Sequence, residues 1–189
     1  IVVEGRGGHA SMPHQTLVPV ACAAEIVVAA RATATREFGA HDRVGVTIAH
    51  LDAGSTFNVI PDRVKMKGTM RSLSPASRER LRDTIRLLAA GIAGAHGLTA
   101  EVTVKEGFPV TICDARAVAF GERVTRDMLG ERAFLRLDAP IMGAEDFSYV
   151  LEKVPGAIAF LGVAPQGEEA ADCAPRHNPS MMIDEKVLP

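Results

Sequence analysis

Arg63-Val64-Lys65-Met66-Lys67-Gly68-Thr69-Met70-Arg71 alternates in its chemistry. In an extended chain, successive side chains point to opposite faces. Val64, Met66 and Met70 therefore share one face, and Arg63, Lys65, Lys67 and Arg71 share the other. The pattern predicts a half-buried strand in a sheet with one apolar face and one cationic face. Working outward, residues 43–50 alternate in the same way, with Val44, Val46 and Ile48 opposed to Thr47 and Ala49. After Arg71 comes Ser74-Pro75, an N-cap followed by proline at the first helical position. Leu81, Ile85, Leu88 and Ile92 then follow the helical period, and Gly97 marks a stop.

Residues 98–105 alternate again, Ala100, Val102 and Val104 against Glu101, Thr103 and Lys105. At the start of the chain, residues 1–4 read as a short strand. Gly5-Arg6-Gly7-Gly8-His9 follows as a loop, and residues 17–36 carry a helical spacing with Pro19 in the first turn. The order is strand, helix, strand, strand, helix, strand. That is the βαββαβ, ferredoxin-like pattern of an α+β fold, with two helices covering the apolar face of four antiparallel strands. It accounts for residues 1–106.

A boundary is expected near Gly107-Phe108-Pro109. Beyond it, Asp114 caps a predicted helix over 115–129 that Gly130 ends, and a short helix is expected near 145–153. Ala157–Val163 reads as a buried strand, 164–176 as a loop, and the last residues as the start of a helix. This segment holds too few strands to make a sheet of its own, so 107–189 reads as part of a larger α/β domain.

The chain has 189 residues and a formal charge of −2, and no basic run stands out, which argues against a nucleic-acid partner. No apolar stretch reaches membrane-spanning length. Cys22, Cys113 and Cys173 are scattered, without metal-ligand spacing, and fit a reducing, cytoplasmic setting. Ile1-Val2-Val3 reads as the middle of a strand without an initiator Met, so the expectation is a chain cut from something longer.

Five places could carry chemistry. His9, after two glycines at a strand end, either donates to a ligand oxygen or satisfies loop carbonyls. Asn58 before Val59-Ile60-Pro61 is a turn residue or a substrate contact. Arg71 is a solvated cation or a clasp for a carboxylate. Gly143 lies in Met142-Gly143-Ala144-Glu145-Asp146-Phe147. His177, before Asn178-Pro179, could be a metal ligand, although a two-metal site needs several. No Gly-x-Ser-x-Gly, P-loop or dinucleotide-binding glycine pattern is present.

In order and spacing, Gly7-Gly8-His9-Ala10-Ser11-Met12-Pro13-His14, Asn58-Val59-Ile60-Pro61-Asp62, Gly68-Thr69-Met70-Arg71-Ser72, Met142 to Tyr149 and His177-Asn178-Pro179 resemble the M20 metallopeptidase family. The likeness is to its amidohydrolase branch of hippurate hydrolases, N-acyl-amino-acid deacylases and auxin-conjugate hydrolases. The resemblance implies a lid and dimerisation domain at 1–106, followed at 107–189 by the C-terminal part of a zinc-peptidase-like catalytic domain. It implies hydrolysis of N-acyl amino acids by a homodimer paired through its lids, with two divalent metal ions (Zn, Mn, Co or Ni) in the intact enzyme. A metal-bridged water would attack the amide carbonyl, with a glutamate as general base.

By position, His9 matches the histidine that reaches the partner subunit's active site, and Asn58 the asparagine that holds substrate beside it. Arg71 matches the arginine that binds the free carboxylate, Gly143 a pocket glycine, and His177 a metal ligand. Two positions depart from the family pattern. Val18 replaces an aspartate before Pro19, which leaves Thr16 as the expected cap, and Arg176 replaces an apolar residue before His177. The upstream metal-binding motifs are absent, so this chain on its own is expected to hold no metal, or one weakly, and to be inactive. The competing reading is a non-catalytic dimerisation or ligand-binding module on the same fold.

Overall fold

The structure is a computed structural model and describes residues 1–39, 41–168 and 172–188. Its first part runs β1 (Val2–Glu4), β2 (Gly8–His9), α1 (Pro19–Arg36), β3 (Gly45–Asp52), β4 (Val59–Ile60), β5 (Arg63–Arg71), α2 (Pro75–Ala95) and β6 (Thr99–Glu101). The main sheet has the order β3-β5-β1-β6, with each neighbouring pair antiparallel. Two strand–helix–strand crossovers thus interleave, which is the ferredoxin-like arrangement expected from the alternation in β5.

β5 sits inside this sheet, bonded to β3 on one side and β1 on the other. Val64 and Met66 are buried and Met70 is half-buried, while Arg63, Lys65, Lys67 and Arg71 are exposed. Val3 lies opposite Val64, and both pack against Cys22, Ala23 and Ile26 of α1 and Ala89 and Ala93 of α2. The alanines at these positions let the two helices approach the sheet and each other closely. A second cluster joins Ala30, Phe38, Leu81 and Ile85. Fully burying a side chain such as Ile26 or Leu81 contributes about 1.5–3 kcal/mol.

Both ends of α2 match the sequence reading. The Ser74 hydroxyl accepts the Ser77 N–H at 3.0 Å, with Pro75 next in the chain. At the other end Gly97 takes φ +68, a conformation glycine adopts without a Cβ penalty. The Leu98 N–H then returns to the Ala93 carbonyl at 2.8 Å, and Leu98 is itself buried in the core.

Several expectations change. The strand expected at 43–50 runs Gly45–Asp52 and holds a bulge: Ile48 faces Gly68 and His50 faces Lys67, so Ala49 is left without a partner. The extra residue reverses the alternation, and Leu51 rather than His50 falls opposite Met66. A Cβ on Gly68 would lie 2.3 Å from the Thr47 carbonyl oxygen, so the bulge closes only over glycine.

The last strand is three residues, not eight. Val18, not Thr16, is the N-cap of α1, without a side-chain cap; the Thr16 hydroxyl donates instead to the Pro13 carbonyl at 2.8 Å. The open sheet face carries both signs of charge, because Glu4 lies opposite Arg63 and Asp52 opposite Lys65. It is therefore not the uniformly cationic surface that β5 alone suggests.

Residues from 107 onward look different. α3 (Ala115–Leu129) is capped by Asp114, whose Oδ1 accepts the Arg116 and Ala117 N–H groups, each at 3.0 Å. The short helix is only α4 (Ser148–Leu151), and the terminal one is a single 3-10 turn, Glu185–Val187. Ala157–Val163 is not a strand, and Phe160 and Leu161 are exposed. A buried strand needs neighbours, and this chain offers none there. The expected loop at 164–176 is described except for residues 169–171. Among the described residues after 106, only Ser148 is buried.

On α3, Glu122 receives Arg126 at 2.9 Å and Arg136 at 3.1 Å. The bonds from Arg136, then Arg126, hold its carboxyl below the usual carboxylate range. A depressed carboxylate stabilises the folded state above the unfolded value and loses that contribution as pH falls through the folded value. Helix α3 should therefore loosen in acid below the ordinary glutamate range. Glu122→Gln should flatten that dependence in a circular-dichroism titration. For the bulge, Gly68→Ala should lower unfolding free energy by about 1–3 kcal/mol in urea titrations.

Candidate functional site

β2 and β4 form a separate two-stranded ladder, with Gly8 opposite Ile60 and His9 opposite Val59. It continues past both strands, as the Ala10 N–H donates to the Asn58 carbonyl at 3.0 Å. A second set of bonds anchors this clasp to the start of β5. The Gly5 N–H donates to the Asp62 carbonyl at 2.7 Å, and the Gly7 N–H to Asp62 Oδ1 at 2.8 Å. Sequence positions 9 and 58 are thereby brought side by side, each exposed.

Each of these two side chains has one end occupied locally. His9 Nδ1 lies 3.2 Å from the Ser11 N–H and 2.7 Å from the Ser11 hydroxyl. The Thr56 hydroxyl donates to Asn58 Oδ1 at 3.1 Å. Phe57, between Thr56 and Asn58, is fully exposed.

Arg71 ends the opposite end of β5. Its cross-strand neighbour is Gly45, which presents no side chain against it. The guanidinium Nη1 donates to the Met142 carbonyl at 2.7 Å, so Arg71 and the segment holding Gly143 meet. A guanidinium has five N–H donors, and most remain for a second acceptor. Nearby, Arg78 donates to the Phe108 carbonyl at 2.7 Å, and the Phe108 ring meets Tyr149 edge-on with centroids 5.8 Å apart. These contacts hold the segment around Gly143 over the Arg71 end of the sheet.

The five sequence candidates thus fall into two pairs and one single. His9 joins Asn58, and Arg71 joins Gly143, but the pairs lie at opposite ends of β5. Eight strand rises separate Arg63 from Arg71, about 26 Å. His177 stands apart in a tight turn closed by the Asn178 N–H to the Pro175 carbonyl at 3.0 Å. It holds φ +70, one of two non-glycine residues in that region among the described residues. Such a turn position favours glycine, so histidine is a strained choice for it.

Sequence reasoning missed Ser11, Thr56 and the Met142 carbonyl. The first two carry a readable signal, a hydroxyl two residues from a candidate ligand side chain. The third is a backbone contact across 71 positions and has none.

Comparison with known proteins identifies the family. Residues 1–96 match the family model for the M20 peptidase dimerisation domain. The chain belongs to the M20 family. Among curated M20-like relatives, it is 34% identical over its whole length to IAA-amino acid hydrolase ILR1-like 2 of Arabidopsis thaliana, covering 42% of that protein. It is 31% identical to N-acetylcysteine deacetylase of Bacillus subtilis, covering 47%. Among solved structures, the YXEP protein of Bacillus subtilis, described as a dinuclear metal-binding peptidase of the M20 family, superposes with a TM-score of 0.68. The identity is 25%, over 98% of this chain and 44% of that one. The chain thus spans less than half the length of these relatives.

The turn at His177 is open to a direct test. A left-handed conformation costs a non-glycine residue about 1–2 kcal/mol. His177→Gly should therefore be more stable than His177→Ala by about 1 kcal/mol in thermal unfolding, the reverse of their ranking in a helix.

Proposed function

We propose that this chain supplies the substrate-gripping part of a metal-dependent amidohydrolase that cleaves N-acyl amino acids, with each site shared between two copies. Arg71 clasps the substrate's free carboxylate with paired N–H donors. The backbone at Gly143 lies against the same end of the substrate. His9 and Asn58 donate to the amide carbonyl oxygen and to the negative charge that develops on it during attack.

The separation along β5 carries this reading. In an N-acyl amino acid the carboxylate and the amide carbonyl are one peptide unit apart, about 4 Å. Half-sites about 26 Å apart on one chain cannot both hold one such molecule. Two lids paired edge strand to edge strand allow His9 and Asn58 of one copy to serve Arg71 and Gly143 of the other. The long outer edge of β3, beside a groove of about 340 Å³ lined by Val27, Ala30, Arg31 and Val46 to Ile48, suits pairing of that kind.

Residues 107–189 read as the C-terminal part of the catalytic domain. Phe120, Leu135, Leu161 and Met182 are each more than half exposed, an apolar load that the rest of such a domain would cover. Among the described residues no group of three or more His, Cys, Asp and Glu side chains is placed to hold a metal ion. The described residues do not by themselves make up a metal site; in this reading His177 is one ligand of a set completed from other segments.

Subunit complementation tests the shared site. In the protein carrying its complete catalytic domain, His9→Ala and Arg71→Ala should each be nearly inactive. Co-expressed, they should recover about a quarter of wild-type activity, since half the dimers are mixed and each mixed dimer has one intact site. A mixture no more active than its parents would sink the shared site.

A further inference from the structure

We infer that Ser11 and Thr56 are positioning residues that fix His9 and Asn58 as hydrogen-bond donors, so that each side chain presents N–H to a substrate acceptor. This rests on the function proposed above and adds the reason why these two residues donate. Histidine and asparagine each carry a donor and an acceptor. Left free, a neutral imidazole can place its proton on either nitrogen, and a carboxamide can turn end for end.

Here the acceptor end of each is engaged. The Ser11 N–H points at His9 Nδ1 at 3.2 Å. A backbone amide can only donate, so Nδ1 is the acceptor and the neutral ring carries its proton on Nε2. The Ser11 hydroxyl, 2.7 Å from the same atom, adds a second donor. At Asn58, the Thr56 hydroxyl donates to Oδ1 at 3.1 Å, which leaves the Nδ2 hydrogens to face outward. The backbone clasp from Ala10 to Asn58 holds the two together.

Two side chains of different chemistry, at neighbouring ends of one backbone ladder and each capped at its acceptor by a hydroxyl two residues away, match ligand atoms that only accept. A carbonyl oxygen turning into an oxyanion is such an atom. The arrangement is set before substrate arrives, so it needs no reorganisation as charge develops.

Two measurements test this. In the 189-residue chain with 15N-labelled histidine, long-range 15N–1H correlations above the ring's titration should show His9 as the Nε2–H tautomer. A Nδ1–H tautomer or an even mixture would overturn the assignment. In the complete metal-loaded enzyme, Thr56→Val keeps the shape of the side chain and removes the hydroxyl. It should lower kcat about 2- to 10-fold with little change in KM, and Thr56→Ser should restore it. Asn58→Ala, run in parallel, separates the two levels. If Asn58→Ala is itself silent, the proposed function fails and the positioning role falls with it. If Asn58→Ala is damaging while Thr56→Val is silent, or Thr56→Ser does not rescue, only the positioning role is refuted.

Discussion

Everything in residues 1–101 depends on β5 being hydrogen-bonded on both sides. With β3 and β1 both in place, its register cannot drift. A slip of one residue would carry Lys65 and Lys67 into the space now filled by Val64 and Met66. Burying an unpaired ammonium there would cost far more than the whole sheet could offset. The alternation therefore selects one alignment, and that alignment places the β2–β4 clasp at one end of β5 and Arg71 at the other. In the proposed function length matters: a nine-residue strand would be the spacer between the two halves of the site.

The same logic explains what was legible in the sequence. Elements whose signal is local came through: the alternation of β5, the Ser74-Pro75 start of α2, the Gly97 stop, and the Asp114 cap of α3. Each is decided within a few residues by chain geometry and its own hydrogen bonds. The bulge at Ala49 was hidden because it is a property of a pair. The alternation of β3 looks regular until Gly68 on the neighbouring strand is brought against the Thr47 carbonyl. The β2–β4 ladder was hidden for the same reason, since two-residue strands have no periodicity. After residue 106, Ala157–Val163 has the composition of a strand, but composition does not supply a neighbour.

The sequence names candidate residues and not their grouping. Motifs named His9, Asn58, Arg71, Gly143 and His177, and a resemblance gave them roles. The resemblance puts His9 and Asn58 near the same substrate, but nothing in the sequence shows the ladder that joins them, or that Arg71 reaches the Met142 carbonyl. Those pairings arise from the clasp at Asp62 and from the packing of Phe108 on Tyr149. They gather four of the five positions into two pairs at different ends of one strand and leave His177 apart. The strain at His177 adds an independent pointer, because a turn that favours glycine has kept a histidine.

The two outer strands of the sheet are unequal, eight residues in β3 and three in β6. An unpaired strand is a template for another chain, and a sheet with two long bare edges can recruit neighbours without end. Here only one edge is long enough to recruit. Copies that meet β3 to β3 use up that edge in both, and what is left outside is a stub of three residues at each end. Growth then stops at two. If copies pair through β3, the shortness of β6 is what separates a closed pair from an open fibre.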